Sequence, residues 1–242
     1  MDALTAARQI AEPVQVLGAR FMLDGAAYAR GPELGLPPGM GTYFLGRFGV
    51  LGDVDTDAVI EAAHFWNPDL IRANWTDSAD IGAGAGGAAY GVICAERGSD
   101  YLDGFAGSGR LADLLATVAD NADDAGAALF AGWRDLERPD DDAGRAYLLV
   151  QTIRELRFCR HVVAARADGA DPAGMVLSHS GEDQVKLFGW GDTDVEPVAA
   201  DRMDAIEKAT DEASAADLSP FSDDERSELV ELATAAHAHA TA

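Results

Sequence analysis

The stretch AGRAYLLVQTIRELRFCRHVVAARA at 143–167 is the longest helical pattern in the chain. Asp140, Asp141 and Asp142 stand directly before it, where negative charge favours the positive end of a helix dipole. Within it, RELRFCRH places Arg154, Glu155, Arg157 and His161 inside two turns, and Ile153, Arg157 and His161 follow one another at i, i+4, i+8. A cation and an imidazole thus continue the line of a core residue. Charge at the edge of an apolar stripe must be paired or must face a cavity, because leaving it buried and bare costs several kcal/mol. Two readings stand side by side: salt bridges to some of the chain's acids, or a polar pocket that contacts a ligand. Arg47, within TYFLGRFGVLG (42–52), poses the same question on another predicted helix.

Working outward, helical spacing recurs along most of the chain. Residues 5–29 carry Ile10, Val14, Leu17, Phe21 and Ala26 on one face, with Pro13 expected to kink or restart the helix. GPELGLPPGMG (31–41) is expected as a loop, and 42–52 as a short helix ended by Gly52. Asp55 or Thr56 can cap a helix carrying Val59, Ala63 and Trp66, which Asn67-Pro68 should stop. Helices follow at 78–97, 108–120 with Ser108 as cap, and 123–136 with Phe130, Trp133 and Leu136 inward. After the long helix, 168–199 is expected to be irregular, with 174–178 (GMVLS) and 184–189 (QVKLFG) able to pair as a small β-hairpin. Two last helices cover 200–215 and 222–238, the second opened by the capping box from Ser222 to Glu225, with an alanine-rich end expected to fray. The fold class is mainly α: a multi-helix bundle over 1–242 as one domain, with 1–137 and 138–242 as candidate sub-layers.

Composition narrows the function classes. The 242 residues hold 42 acids, 29 Asp and 13 Glu, against 16 Arg and 2 Lys, for a formal charge of −24. Such a balance opposes gripping a nucleic-acid backbone, which needs Lys and Arg on phosphates. Cys94 and Cys159 have neither zinc nor redox spacing, and no secretory signal opens the chain. A cytoplasmic location in a high-GC or salt-adapted bacterium is expected. The longest charge-free run, 81–95, would rise about 22 Å as a helix and holds five glycines, so no membrane span is expected.

The motif matches are thin. Gly82, Gly84 and Gly87 formally satisfy GxGxxG, but a dinucleotide site needs a buried strand before it and the preceding residues are Thr76, Asp77, Ser78, Ala79 and Asp80, so a small-residue packing face is the better reading. Asp53, Asp55 and Asp57 begin like a calcium loop, yet Ala58 stands where Gly is required and His64 where Glu is required. No HExxH, GxSxG, P-loop or zinc pattern occurs, so no cofactor or metal is assigned.

The segment TYFLGRFGVLGDVDTDAVIEAAHFWNPDLI (42–71) resembles an uncharacterised, mainly actinobacterial helix-turn-helix-containing family. Tyr43, Phe44, Gly46, Arg47, Leu51, Gly52 and Pro68 match its pattern. So do Arg154, Glu155, Arg157 and His161 in the long helix, Gly189-Trp190, and Ile206, Glu207, Thr210 and Asp211. The resemblance implies a winged-helix-like helical protein with no activity to transfer. The chain departs from the pattern at Phe158-Cys159, where the family has glycine-aspartate. It also lacks, between Trp190 and Met203, roughly 25 residues that would supply a late recognition helix and wing.

Three functions are therefore weighed. The first is a binding protein for a small, anionic ligand in an inter-helical pocket built from Tyr43, Arg47, His64, Trp66, Arg154, Arg157 and His161, with Phe65 and Trp133 as further walls. The second is an enzyme using His161 or His64 as general base beside an arginine. The third is a transcriptional regulator, or a winged-helix relic that no longer binds DNA; nucleic acid is the disfavoured partner. A homodimer through leucine- and alanine-rich faces such as 222–238 is compatible with the pattern.

Overall fold

A computed structural model describes residues 1–75 and 81–242. Its centre is the helix α9, Asp142–Asp168, so the elements are named here in chain order around it. These are α1 (Ala3–Ala19), a 3-10 turn (Arg20–Leu23), α2 (Gly25–Glu33), α3 (Met40–Gly49), α4 (Thr56–Ala63), α5 (Pro68–Trp75), α6 (Ala83–Tyr101), α7 (Ser108–Asn121) and α8 (Ala128–Arg134). After α9 come α10 (Pro172–Ser180), α11 (Glu182–Leu187), α12 (Ala200–Asp217) and α13 (Asp223–Thr241). The protein is mainly α, and no strand occurs among the described residues to build a wing.

Asp141 opens α9 by accepting the Gly144 N–H at 2.7 Å, and Gly169 closes it at φ 73°, where a side chain would be strained. From Ala146 to Leu156 every residue of α9 is buried, polar ones included. A helix buried all round must be surrounded. α1, α6, α7, α8 and α12 pack on it, and the main core draws side chains from both 1–137 and 138–242. A smaller cluster of Ala165, Ala170, Met175 and Ile206 joins the end of α9 to α10 and α12.

Missing side chains let α3 and α6 touch backbone to backbone. A Cβ at Gly49 would lie 2.3 Å from the Ala83 carbonyl oxygen, and one at Gly87 would lie 2.5 Å from the Val50 nitrogen. Of the glycine run at 82–87, Gly86 and Gly87 are therefore the packing face, whereas a Cβ on Gly84 would meet open space and Gly82 at φ 82° precedes α6. Residues 78–80 of the expected helix lie outside the described residues.

Several expectations are corrected. The hairpin at 174–178 and 184–189 is instead α10 and α11: Asp171 caps Gly174, Pro172 occupies the first turn, and Gly181 at φ 79° separates the two helices. Pro13 lies inside α1 without ending it, whereas the 3-10 turn and the Asp24 cap divide the segment 5–29. Pro68 ends nothing; it begins α5. The residue before α7 is Gly107, and the Ser108 hydroxyl donates back to the Phe105 carbonyl instead of capping. The alanine-rich end is ordered within α13, with Ala233, Ala236 and Ala240 buried and the His239 ring 2.8 Å from the Asp103 carbonyl.

Candidate functional site

α3 and α9 meet at a buried ionic network. Arg47 donates from Nε and Nη2 to the two oxygens of Glu155 at 2.9 and 2.8 Å. Glu155 Oε1 also accepts from Gln151 Nε2 at 2.6 Å and from Arg154 Nη1 at 2.9 Å. Arg47 Nη1 donates to the Tyr43 hydroxyl at 2.6 Å, and the Arg47 guanidinium lies 4.7 Å from the Phe158 ring centre and 5.0 Å from that of Phe48. Trp133 Nε1 donates to the Arg47 carbonyl, tying α8 to the same point.

Electrostatics follow from burial. Burial alone would raise the Glu155 carboxyl, but the charges of Arg47 and Arg154 outweigh it and hold the group below the usual carboxylate range. Burial lowers Arg154, against the pull of Glu155, whereas for Arg47 burial is outweighed by Glu155 and Tyr43 acting together through charge and hydrogen bonds, and the group is raised. Two guanidinium groups share one carboxylate, so the network carries one net positive charge. Among the described residues its donors are not all used: Arg154 Nε is buried without a partner, and the Tyr43 hydroxyl, which accepts from Arg47, donates to none of them. Gln151 Oε1 is likewise buried and unpaired.

A second polar group adjoins through aromatic rings. Phe65 lies 5.9 Å from Phe158, 4.8 Å from His64 and 5.8 Å from His161, centre to centre. His64 is the one non-glycine residue with positive φ, 41°, among those described. The Phe65 N–H donates to the Ala63 carbonyl across it, which makes His64 the centre of a γ-turn in its rare, strained form. Its Nε2 is buried without a partner, and burial, reinforced by Arg166 and His161, pulls its pKa down to about 4.

At His161 the tautomer can be deduced. Thr210 Oγ1 commits its only proton to the Ile206 carbonyl at 2.8 Å, so at 3.1 Å it must accept from His161 Nδ1. Glu207 lies 3.6 Å from the same nitrogen. Burial keeps the ring's pKa below its ordinary value, with Glu207 opposing the shift, so the neutral ring carries its lone pair on Nε2. Such a nitrogen can accept a hydrogen bond or a proton.

Of the seven residues expected in one pocket, Tyr43, Arg47 and Arg154 do converge, with Trp66 against Tyr43 at 5.3 Å. His64 and His161 share the face of Phe65. Arg157 turns away to α12, where it pairs with Glu207 and with Asp211 at 3.0 Å, and the crevice beside it holds only about 30 Å³. Gln151 and Thr210 belong to the site although the sequence did not single them out as ligands. Their signal is i, i+4 spacing, Gln151 to Glu155 and Ile206 to Thr210. Among the described residues no group of three or more His, Cys, Asp or Glu is placed to hold a metal ion. Both cysteines are free and buried, with their thiols pushed up in pKa, Cys159 to about 11.

The model of a helix-turn-helix family matches residues 4–199, most of the chain. The chain belongs to this helix-turn-helix family. No curated protein and no solved structure matches it. The family match ends before α12 and α13, yet α12 supplies Thr210, Glu207 and Asp211 to the site. No described helix is long and apolar enough to cross a membrane.

Replacing Glu155 by Gln keeps the shape but leaves two buried guanidinium groups without a counter-charge; urea unfolding should show a loss of about 3–5 kcal/mol. For His64, a folded pKa of about 4 against 6.5 means the native state binds fewer protons than the unfolded chain between those values. Its contribution to stability is present above pH 6.5 and lost as pH falls through 4. NMR titration should place the His64 midpoint near 4, and the His64→Gln variant should lose less stability than the wild type between pH 6.5 and 4.

Proposed function

We propose that this helix-turn-helix family member binds a small oxyanion, a carboxylate or phosphate, at the Arg154 side of the buried network, and that it does not hold DNA. The observation carrying this reading is the imbalance at Glu155: two guanidinium groups to one carboxylate, with the Arg154 Nε–H and the Tyr43 O–H lacking acceptors among the described residues. An uncompensated buried charge costs several kcal/mol, and an oxyanion would supply both the missing charge and the missing acceptors. Gly18 lets the Arg154 stem pack closely on α1, since a Cβ on it would lie 3.0 Å from Arg154 Cδ.

Thermal unfolding at constant ionic strength, with chloride exchanged for formate, acetate, other small carboxylates or phosphate, tests the idea. At least one oxyanion should stabilise the wild type in a saturable way, by about 2.7 kcal/mol at a hundredfold its Kd. Arg154→Met, which restores one charge to one charge, should be stable without the anion and insensitive to it. Identical melting in all anions, or an undiminished response in Arg154→Met, would overturn the proposal.

The family name favours a second reading, a DNA-binding regulator. Against it stands the placement of positive charge. Of the 18 arginines and lysines, all except Arg20 lie within 4.0 Å of a carboxylate. Arg20 donates to the Ala240 carbonyl and lies over the Tyr101 ring. A chain of charge −24 whose cations are already engaged offers phosphates little. The stretch 191–199 holds neither helix nor strand. Gel shifts at low salt with its own upstream DNA should therefore show no complex; a complex that dissolves with added salt would restore the regulator.

A further inference from the structure

A cleft of about 420 Å³ opens on the outer face of α9, between the C-terminal ends of α7 and α12. Its size is within the range of small-molecule sites. Asn121 and Asp123 line one side, Asp217 and Pro220 the other, with Arg160 and Val163 of α9 between them. We infer that this cleft binds an aliphatic ammonium compound.

The sign of the charge comes from what converges there. Both helices end at the cleft, so the negative ends of two helix dipoles lie beside it, with the carbonyls of Thr117, Val118, Ala215 and Ala216 already accepting hydrogen bonds within the chain. Arg160 is already balanced: it grips both Asp217 oxygens at 3.1 and 2.8 Å and donates to the Asp123 carbonyl at 2.7 Å. Among the described residues no cation lies within ion-pair distance of the exposed Asp123 carboxylate; one of its oxygens takes the Ala125 N–H, and the other is open to a ligand from solvent. Asn121 gives its amide N–H to the Thr117 carbonyl, which leaves its side-chain oxygen free to accept. Acceptors and negative field therefore dominate the unused polar groups. Apart from Ser219 the remaining wall is apolar: Ala122, Ala125, Ala213 and Ala216 beside Pro220, with Val163 half exposed. An ammonium head with a short hydrocarbon body suits that surface, and the overall charge of −24 draws cations toward it. This cleft is separate from the Arg154 network, and its test is independent of that proposal.

The test is an amide NMR titration at constant ionic strength with three probes of equal length: n-butylammonium, n-butanol and n-butyrate. Saturable shifts confined to residues 121–125, 160–163 and 213–220 are expected with butylammonium, at least tenfold tighter than with either other probe. Asp123→Asn, which keeps an acceptor for Ala125, should weaken binding several-fold, and Val163→Trp, which fills the cleft from an exposed position, should abolish it. Three outcomes would each overturn the inference: non-saturating shifts spread over the acidic surface, equal response to all three probes, or unchanged binding in Val163→Trp. The spectra themselves report whether each variant is folded.

Discussion

The carboxylate of Glu155 is the constraint from which the rest of the interior follows. It is fully buried and accepts from three side chains at one oxygen and one at the other. Taking such a group out of water is tolerable only when cations and donors replace the lost hydration. Arg47 does so from α3, Arg154 and Gln151 from α9 itself. Because a bidentate guanidinium pair has a fixed fork geometry, it sets the separation and roll of α3 against α9 more narrowly than apolar contacts would. Phe48 and Phe158 then present ring faces to the same cation, and Trp133 reads the Arg47 carbonyl, so α8 is located by the same residue.

With α3 fixed on one side by charge, its other side has to accept α6 at backbone distance. That explains why Gly46, Gly49, Gly86 and Gly87 stand where they do: a Cβ at Gly46 would fall 2.4 Å from the Tyr90 ring, itself fully enclosed and unable to withdraw. Backbone proximity of this kind carries little conformational slack, because neither chain has a rotamer to change. The strained γ-turn at His64 belongs to the same geometry. It turns the chain sharply between α4 and α5, delivering Phe65 toward α9 and Trp66 toward Tyr43 and Phe44.

The mainly helical architecture, a cap at Asp55 or Thr56, the acidic start of α9 and the Ser222 capping box were legible because each is a local signal within four residues; the structure gives the caps to Asp55 and Asp141. The importance of Arg47 and Arg154 was legible too, as polar residues in segments otherwise built for burial. What the chain could not display was their partner. Arg47 and Glu155 are 108 positions apart, and Arg157 is equally basic and nearer the helix surface, yet it goes to α12. The segment 172–189 was misread because two short apolar runs satisfy strand and helix templates alike. The deciding evidence was the Asp171-Pro172 start, a cap followed by a residue suited to the first turn of a helix. The ends of α13 were misjudged for a related reason: alanine suggests fraying only when no neighbour buries it, and α1 does.

Charge is arranged here in the reverse of what a helix-turn-helix protein needs on DNA. Phosphate recognition requires cations at the surface and free of partners, whereas this surface is acidic and its arginines are neutralised within the fold. The unbalanced positive charge lies inside, beside Glu155. On the proposed reading, an anion approaching from solution would meet a repelling field until it came within a few ångströms of Arg154, where hydrogen bonds and low dielectric would take over. Such a site would discriminate by size and charge, since a large or multiply charged anion would gain no more at the network and would lose more on approach. If the proposed anion is its partner, a helix-turn-helix scaffold has kept its helices and changed its partner, because a partner is set by where charge is left unpaired and not by the fold.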